Sequence, residues 1–461
     1  MGTMEGEIFG TDGVRGRALE GWLAEDAVEA LGRAAALVLG GADGTERRAL
    51  LAHDGRASAA PLSSALARGF AHAGLGTASA GLLPTPGLAW LTTTRDDVAF
   101  GAMISASHNP AHDNGIKLFG PGGRKLTDDQ QRAIEERIRP ELENVRLGGP
   151  RADAESHVDA ALADAYATHL SELAAGSGHR LDLSGMRVAI DCANGAASEV
   201  GPRVLRSLGA DVDVLFGSPD GSNINADCGS TSPERLREHV AGTSAAFGIA
   251  LDGDADRCLL VDETGALVDG DAIMAILARD AADRGAWSDP RIVATVMSNR
   301  GLHRALEPKG IGVVEVGVGD RQVVEGLESE GLVLGGEKSG HIIFAEDGVF
   351  IGDGLLTALH VLGVSARTGQ PLGALAAPFV PFPQVLLGLP VAAKPPLDTL
   401  AGFRELVGAF EAELGNDGRV NVRYSGTEPK ARVMVEGPDE ARIRAMAEEL
   451  VDKLRAEIGG A

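Results

Sequence analysis

The sequence predicts an α/β fold: three similar blocks with mixed, largely parallel sheets, then a smaller C-terminal α+β block. Three observations predict it. Short apolar runs alternate with amphipathic helical stretches as far as about residue 370, the pattern of strands joined by crossover helices. Past a Pro- and Gly-rich stretch at 365–396 the order changes to strand, helix, two strands and helix. With 461 residues, the chain has room for about three domains on length alone.

In the first block (1–150), Leu50–His53 reads as a strand and Ser58–Ala73 as a helix carrying Leu62, Leu66 and Phe70 on one face. Val98–Ser105 is the next buried strand. Polar, Gly- and Pro-containing residues over Glu141–Ser156 predict a linker. The second block (157–255) has strand Arg187–Asp191, helix Ala197–Leu208, strand Asp211–Phe216 and apolar strand Ala245–Leu251. The third (256–370) starts with strand Cys258–Val261 and helix Asp271–Arg284. Strand Ile292–Met297, helix Leu302–Glu307 and strand Gly312–Val316 follow. The last (375–461) has strand Gln384–Leu389, helix Thr399–Leu414, two strands around Val420–Val435 and helix Asp439–Ile458.

Hydrophobic residues make up 44% and charged residues 23%, ordinary globular usage that excludes a disordered chain. The net charge is 42 − 66 = −24, which argues against nucleic acid or an anionic membrane as partner. An anionic metabolite would need a locally basic pocket. Cys192, Cys228 and Cys258 have no CxxC spacing, so no disulfide framework is expected. Apolar runs such as Ala34–Gly41 are too short to span a bilayer, and no secretory signal is visible. A cytoplasmic protein is expected.

Five loops carry residues that can do chemistry. Ser105–Pro110 follows an apolar strand, where open α/β sheets place ligands. Ser107 beside His108 reads as a nucleophile or as a run of turn formers, and no GxSxG elbow is present. Asp252, Asp254 and Asp256 follow the next strand and offer hard oxygen ligands suited to Mg2+ or Ca2+. An EF-hand needs Gly at the sixth position, where Arg257 stands, and flanking helices rather than strands. Gly335–His341 presents Glu337, Ser339 and His341 on a Gly-rich backbone able to bond sugar hydroxyls, or simply a hairpin turn. It lacks P-loop spacing. Arg423–Arg432 combines Arg423, Ser425, Gly426, Thr427 and Arg432, a nest for phosphate in an otherwise acidic chain. Phe9–Gly16 places Arg15 among three glycines facing an anion. Gly317–Gln322 lacks the third Gly of a dinucleotide fingerprint.

In order along the chain, these loops resemble those of the α-D-phosphohexomutase family, most closely its bacterial branch acting on glucosamine phosphates. Asp113–Lys117, Gly221–Asn225 and Gly229–Thr231 add to the resemblance. It implies four domains around a central cleft and a mutase that moves phosphate between O6 and O1 of a phosphosugar. Ser107 is then stored as phosphoserine. One Mg2+ per active site is held by Asp252, Asp254 and Asp256 with an oxygen of that phosphoserine. Glucosamine 1,6-bisphosphate serves as intermediate and activator. Glu337, Ser339 and His341 read the sugar. Arg423, Ser425, Gly426, Thr427 and Arg432 anchor the phosphate that is not being transferred.

The same resemblance puts Arg15, His108 and Arg257 around the transferring group, with Lys117 as proton shuttle or charge stabiliser. The implied reaction turns glucosamine 6-phosphate into glucosamine 1-phosphate, for UDP-N-acetylglucosamine and peptidoglycan precursors. A phosphomannomutase/phosphoglucomutase with the same machinery and a non-catalytic sugar-phosphate sensor are the alternatives. Lys338 and Tyr424 depart from the Gln and Pro usual in the family.

Overall fold

The computed structural model describes residues 8–10, 12–41, 47–148, 157–174, 181–346, 349–425 and 429–458. Each of the first three blocks contains a five-stranded sheet, and the three sheets repeat one strand order. In the first sheet Arg48–His53 is central, with Gly76–Leu82 and Val98–Ile104 parallel on its two sides. Asp113–Phe119 runs antiparallel to Val98–Ile104, and Val14–Arg17 antiparallel to Asp113–Phe119 at the edge. In the second sheet Arg187–Asp191 is central between Asp211–Leu215 and Phe247–Leu251, followed by antiparallel Cys258–Val261 and Leu267–Val268. The third runs Gly312–Val316, Arg291–Thr295, Leu334–Gly336, Ile342–Glu346, Val349–Gly352. Only the edge strand differs in origin: the first sheet takes it from the N-terminal side of the chain.

This order corrects two expectations. Cys258–Val261, assigned from sequence to the third block, pairs with Phe247–Leu251 from Gly248↔Val261 to Leu251↔Cys258. A tight turn after an apolar strand returns the chain antiparallel to that same strand, so the second sheet continues to Val268. The linker over Glu141–Ser156 begins instead as helix: Asp128–Arg146 is one helix, opened by a Thr127/Gln130 capping box. Ile134, Ile138, Leu142 and Val145 are its buried stripe. The exposed Glu143, Asn144 and Arg146 lie on the outward face of that helix, and residues 149–156 of the expected linker lie outside the described residues. Asp113–Lys117 lies on strand Asp113–Phe119.

Packing follows the apolar faces. Ala59–His72 buries Leu62, Leu66 and Phe70 against the first sheet, and the Phe70 and Phe100 rings meet edge to face at 5.2 Å. Burial of each such side chain contributes about 1.5–3 kcal/mol. Helix Ala160–Ala174 ties the three blocks together. Its His169 stacks on Trp90 of the first block at 4.2 Å. Asp164 pairs with Arg203 of the second block at 2.5 Å, and the buried Tyr166 hydroxyl donates to Asp353 of the third at 2.7 Å.

The chain forms two compact units, Met1–Val296 with Val313–Ala377, and Met297–Gly312 with Pro378–Ala461. Met297–Gly312, expected in the third block, therefore packs with the C-terminal unit. There the Asn299 amide exchanges two hydrogen bonds with the Phe382 backbone, at 2.9 and 2.8 Å. The sheet of this unit is three antiparallel strands, with Lys430–Glu436 between Gln384–Pro390 and Arg419–Tyr424. Helices Ala401–Leu414 and Glu440–Ile458 supply Phe403, Phe410, Ile443 and Leu450 to its core.

Candidate active site

The repeated topology makes three predicted loops equivalent. Ser105–His112, Asp252–Arg257 and Glu337–His341 each join an inner strand to its antiparallel neighbour. They converge because the three sheets present the same end.

Ser107 is almost fully buried and sits at φ +53°, a left-handed conformation costly for a side-chain-bearing residue. Its Oγ donates to Asp252 Oδ2 at 2.7 Å and lies 3.2 Å from His108 Nδ1. Burial, followed by the charges of Arg257 and Arg15, lowers the His108 pKa. A cradle absent from the sequence reading enforces the strained turn. The Arg56 guanidinium, fully enclosed, spends every N–H donor it has. Nε bonds Asp54 at 2.8 Å, Nη1 the carbonyls of Pro110 at 2.5 Å and Asp113 at 2.9 Å, and Nη2 those of Ser107 at 3.0 Å and Asn109 at 2.9 Å. Asp54 also accepts from Ser105 Oγ at 2.7 Å, and that hydroxyl receives the Ser107 N–H at 2.8 Å. The Asp54-Gly-Arg56 triplet does follow a predicted strand, which was its one local signal.

The acidic turn faces the serine. Oxygens of Asp252, Asp254 and Asp256 lie within 4.8 Å of one another, and all three residues are buried. Burial, then the charges of Asp256 and Asp254, pushes Asp252 well up. Burial opposes ionisation of Asp256 too, yet Lys117 and His341 outweigh it and hold that carboxyl well down. Asp254 Oδ1 and Asp256 Oδ1 are buried without a hydrogen bond among the described residues. Clustered carboxylates with unspent oxygens fit a hard divalent cation.

Lys117, buried, reaches Asp254 at 2.8 Å, Asp12 at 3.0 Å and Asp256 at 3.2 Å. Burial disfavours its charge, but these carboxylates prevail and raise its pKa well above the usual lysine value. Arg15 holds Asp12 at 2.6 Å. Lys125 also pairs with Asp12, at 2.6 Å, and with Asp320. His341 lies 3.7 Å from Asp256 and 3.8 Å from Asp320, with its pKa raised by those acids against burial. Arg257 gives its backbone N–H to Asp252 at 3.1 Å, while its Nε is buried without a hydrogen bond among the described residues. Thr85, not anticipated, donates its hydroxyl to Asp254 Oδ2 at 2.5 Å.

Glu337 is half-buried and accepts the Gly319 N–H at 3.1 Å. The 317–322 loop, set aside as a cofactor site, thus supports the Glu337 loop and supplies Asp320. Ser339 is exposed. In the C-terminal unit, Arg423 and Arg432 are directly opposite across paired strands. Ser425 is buried, its N–H bonds the Lys430 carbonyl at 2.8 Å, and its own carbonyl accepts from Lys394 at 2.5 Å. Gly426 and Thr427 lie outside the described residues.

Gly253 marks how closely the loops approach. A methyl group there would lie 2.6 Å from the Ser107 carbonyl oxygen and 2.8 Å from the Asn225 amide nitrogen. Gly253→Ala is expected to lower kcat about 100-fold by displacing the acidic turn from the serine. Turnover measured beside a thermal melt checks this, and an unchanged kcat would contradict the close approach.

Solved structures share the fold. A phosphoglucomutase/phosphomannomutase family protein from Burkholderia thailandensis superposes with TM-score 0.80 at 24% identity, over 100% of this chain and 99% of that one. An Aspergillus fumigatus N-acetylphosphoglucosamine mutase, solved with GlcNAc-6P and magnesium, gives 0.62 at 18% identity over 99% and 97%. Family models and curated relatives, together with this fold and acidic turn, define a phosphohexomutase, an isomerase that relocates a phosphoryl group within a sugar phosphate. Four domain models of phosphoglucomutase/phosphomannomutase match in sequence. Domain I matches residues 6–144, domain II 164–265, domain III 269–382 and the C-terminal domain 387–453. The chain belongs to the phosphoglucomutase/phosphomannomutase family. Among its curated relatives are the phosphoglucosamine mutases of Rhodococcus opacus, 45% identical over 96% of this chain and 98% of that one, and Mycolicibacterium gilvum, 46% identical over 98% and 99%.

Proposed function

We propose that the enzyme interconverts glucosamine 6-phosphate and glucosamine 1-phosphate through a phosphoserine at Ser107 and a 1,6-bisphosphate. The observation that carries the reading is the Ser107 Oγ, 2.7 Å from a buried carboxylate of a three-aspartate turn. An oxygen so placed suits a phosphoryl carrier beside a cation site. Asp252, Asp254 and Asp256 are the residues that would hold Mg2+. A bound Mg2+ supplies a Lewis acid that offsets charge developing on the seryl oxygen as the phosphoryl group leaves.

The chain's own residues do the positioning. In the forward step sugar O1 bonds to phosphorus as the bond from Ser107 Oγ breaks. The O6 phosphate then returns to Ser107, so the proton lost at O1 is matched by one gained at O6. Arg15, Lys117 and Arg257 bring positive charge to the transferring group, and His108 adjoins the seryl oxygen. Glu337 offers a carboxylate to sugar hydroxyls, with Ser339 and His341 on the same loop. Arg423, Ser425, Gly426, Thr427 and Arg432 are assigned to the resting phosphate.

Relatives named phosphoglucosamine mutase over nearly the full chain support the amino sugar. Lys338, beside Glu337, would repel a protonated amine. Its charge is offset nearby: burial raises the Asp269 pKa and the Lys338 ammonium opposes that rise. This reading places the enzyme in the supply of UDP-N-acetylglucosamine, a cytoplasmic task consistent with the absence, among the described residues, of any helix long and apolar enough to cross a membrane.

Turnover of glucosamine, glucose and mannose 6-phosphates side by side tests the choice. The amino sugar is expected to lead in kcat/KM by at least about tenfold. Equal or faster turnover of glucose or mannose phosphate would shift the assignment to a phosphoglucomutase or phosphomannomutase. No turnover of any would leave a sugar-phosphate sensor.

A further inference from the structure

We propose that Asn225 is a positioning residue that keeps the seryl oxygen in register with the acidic turn. The inference rests on the reading of Ser107 as phosphoryl carrier. Asn225 belongs to the second block, which also bears Asp252, Asp254 and Asp256, whereas Ser107 belongs to the first. Its side-chain Nδ2 donates to the Ser107 carbonyl at 2.9 Å and to the Asn109 carbonyl at 3.1 Å. Those are the two oxygens that Arg56 Nη2 also grips, at 3.0 and 2.9 Å. The serine loop is thus held by one side chain from each block. Arg56 shapes the loop within its own block; Asn225 ties that shape to the block carrying the carboxylates.

Asn225 is itself firmly placed. Its N–H bonds the Ala193 carbonyl at 2.9 Å, and it sits at φ +57°. Gly253 of the acidic turn packs so near that an added methyl would meet both the Asn225 amide and the Ser107 carbonyl, at 2.8 and 2.6 Å. One amide nitrogen therefore marks the point where serine loop, acidic turn and second block meet. Removing it leaves the Arg56 grip intact but lets the loops slide relative to one another. Phosphoryl transfer depends on such alignment within a fraction of an ångström.

Glycine accepts positive φ without strain, so Asn225→Gly removes the amide and keeps the backbone. Its kcat on glucosamine 6-phosphate is expected to fall about 10- to 100-fold, with KM within about threefold of wild type. Its melting temperature should fall by only a few degrees, relieved strain offsetting part of the cost of the lost hydrogen bonds. Asn225→Asp points a carboxylate at two carbonyl oxygens and should lower kcat further than Asn225→Gly. A kcat for Asn225→Gly within twofold of wild type, or equal losses in the two variants, would overturn the proposal. Ser107→Ala in the same series separates the two ideas. Activity surviving there removes the phosphoserine reading itself, whereas an inactive Ser107→Ala beside a fully active Asn225→Gly removes only the role of Asn225.

Discussion

Ser107→Ala is expected to lower turnover by about 10^4-fold or more while the chain stays folded. The alanine keeps the loop, since Arg56 and Asn225 hold backbone carbonyls rather than the hydroxyl. What disappears is the hydroxyl that the proposed mechanism uses as phosphoryl carrier. Asp252 loses the donor at 2.7 Å but keeps the Arg257 N–H at 3.1 Å, so the stability cost is about 1–3 kcal/mol. Intact mass supplies the second readout: wild type purified without phosphatase should show one added phosphoryl group, and the variant none. Normal turnover in Ser107→Ala, or a phosphoryl mass persisting in it, would end the mechanism.

Asp254→Asn is expected to lower kcat about 1,000-fold, corresponding to several kcal/mol of lost charge stabilisation. Asp254 is fully buried; Oδ2 takes Thr85 at 2.5 Å and Lys117 at 2.8 Å, and Oδ1 has no hydrogen bond among the described residues. An amide in its place removes one anionic ligand and can turn an NH2 toward the cation or toward Lys117. The half-saturating Mg2+ concentration should rise at least about tenfold. The gain in melting temperature on adding Mg2+ should shrink in parallel, because a ligand stabilises only to the extent that it binds the native state. A metal titration superimposable on wild type would refute the assignment of this carboxylate.

Much of the site was legible because its loops announce themselves locally. Ser107, Asp252 and Glu337 each stand just beyond an apolar strand, in stretches rich in turn formers. Topology adds why: the three loops are one connection repeated in three sheets. Arg56, Asn225, Thr85, Lys125 and Asp320 were not read as parts of the site. Each acts on a residue far along the chain, as Thr85 does on Asp254 across 169 positions, and no local pattern encodes such a pairing. Helix Asp128–Arg146 was partly missed because an amphipathic helix with a narrow apolar stripe looks polar when read residue by residue.

The amino-acid sequence by itself determined the α/β alternation, the change to α+β near the C-terminus and the chemistry available in each loop. Periodicity and turn preference are properties of neighbouring residues, so they survive without a fold. Only the tertiary structure decided which strand Cys258–Val261 joins, that Met297–Gly312 packs with the C-terminal unit, and that the serine loop is held from two blocks at once. Those outcomes depend on hydrogen bonds and packing between segments that become neighbours only when the sheets have formed.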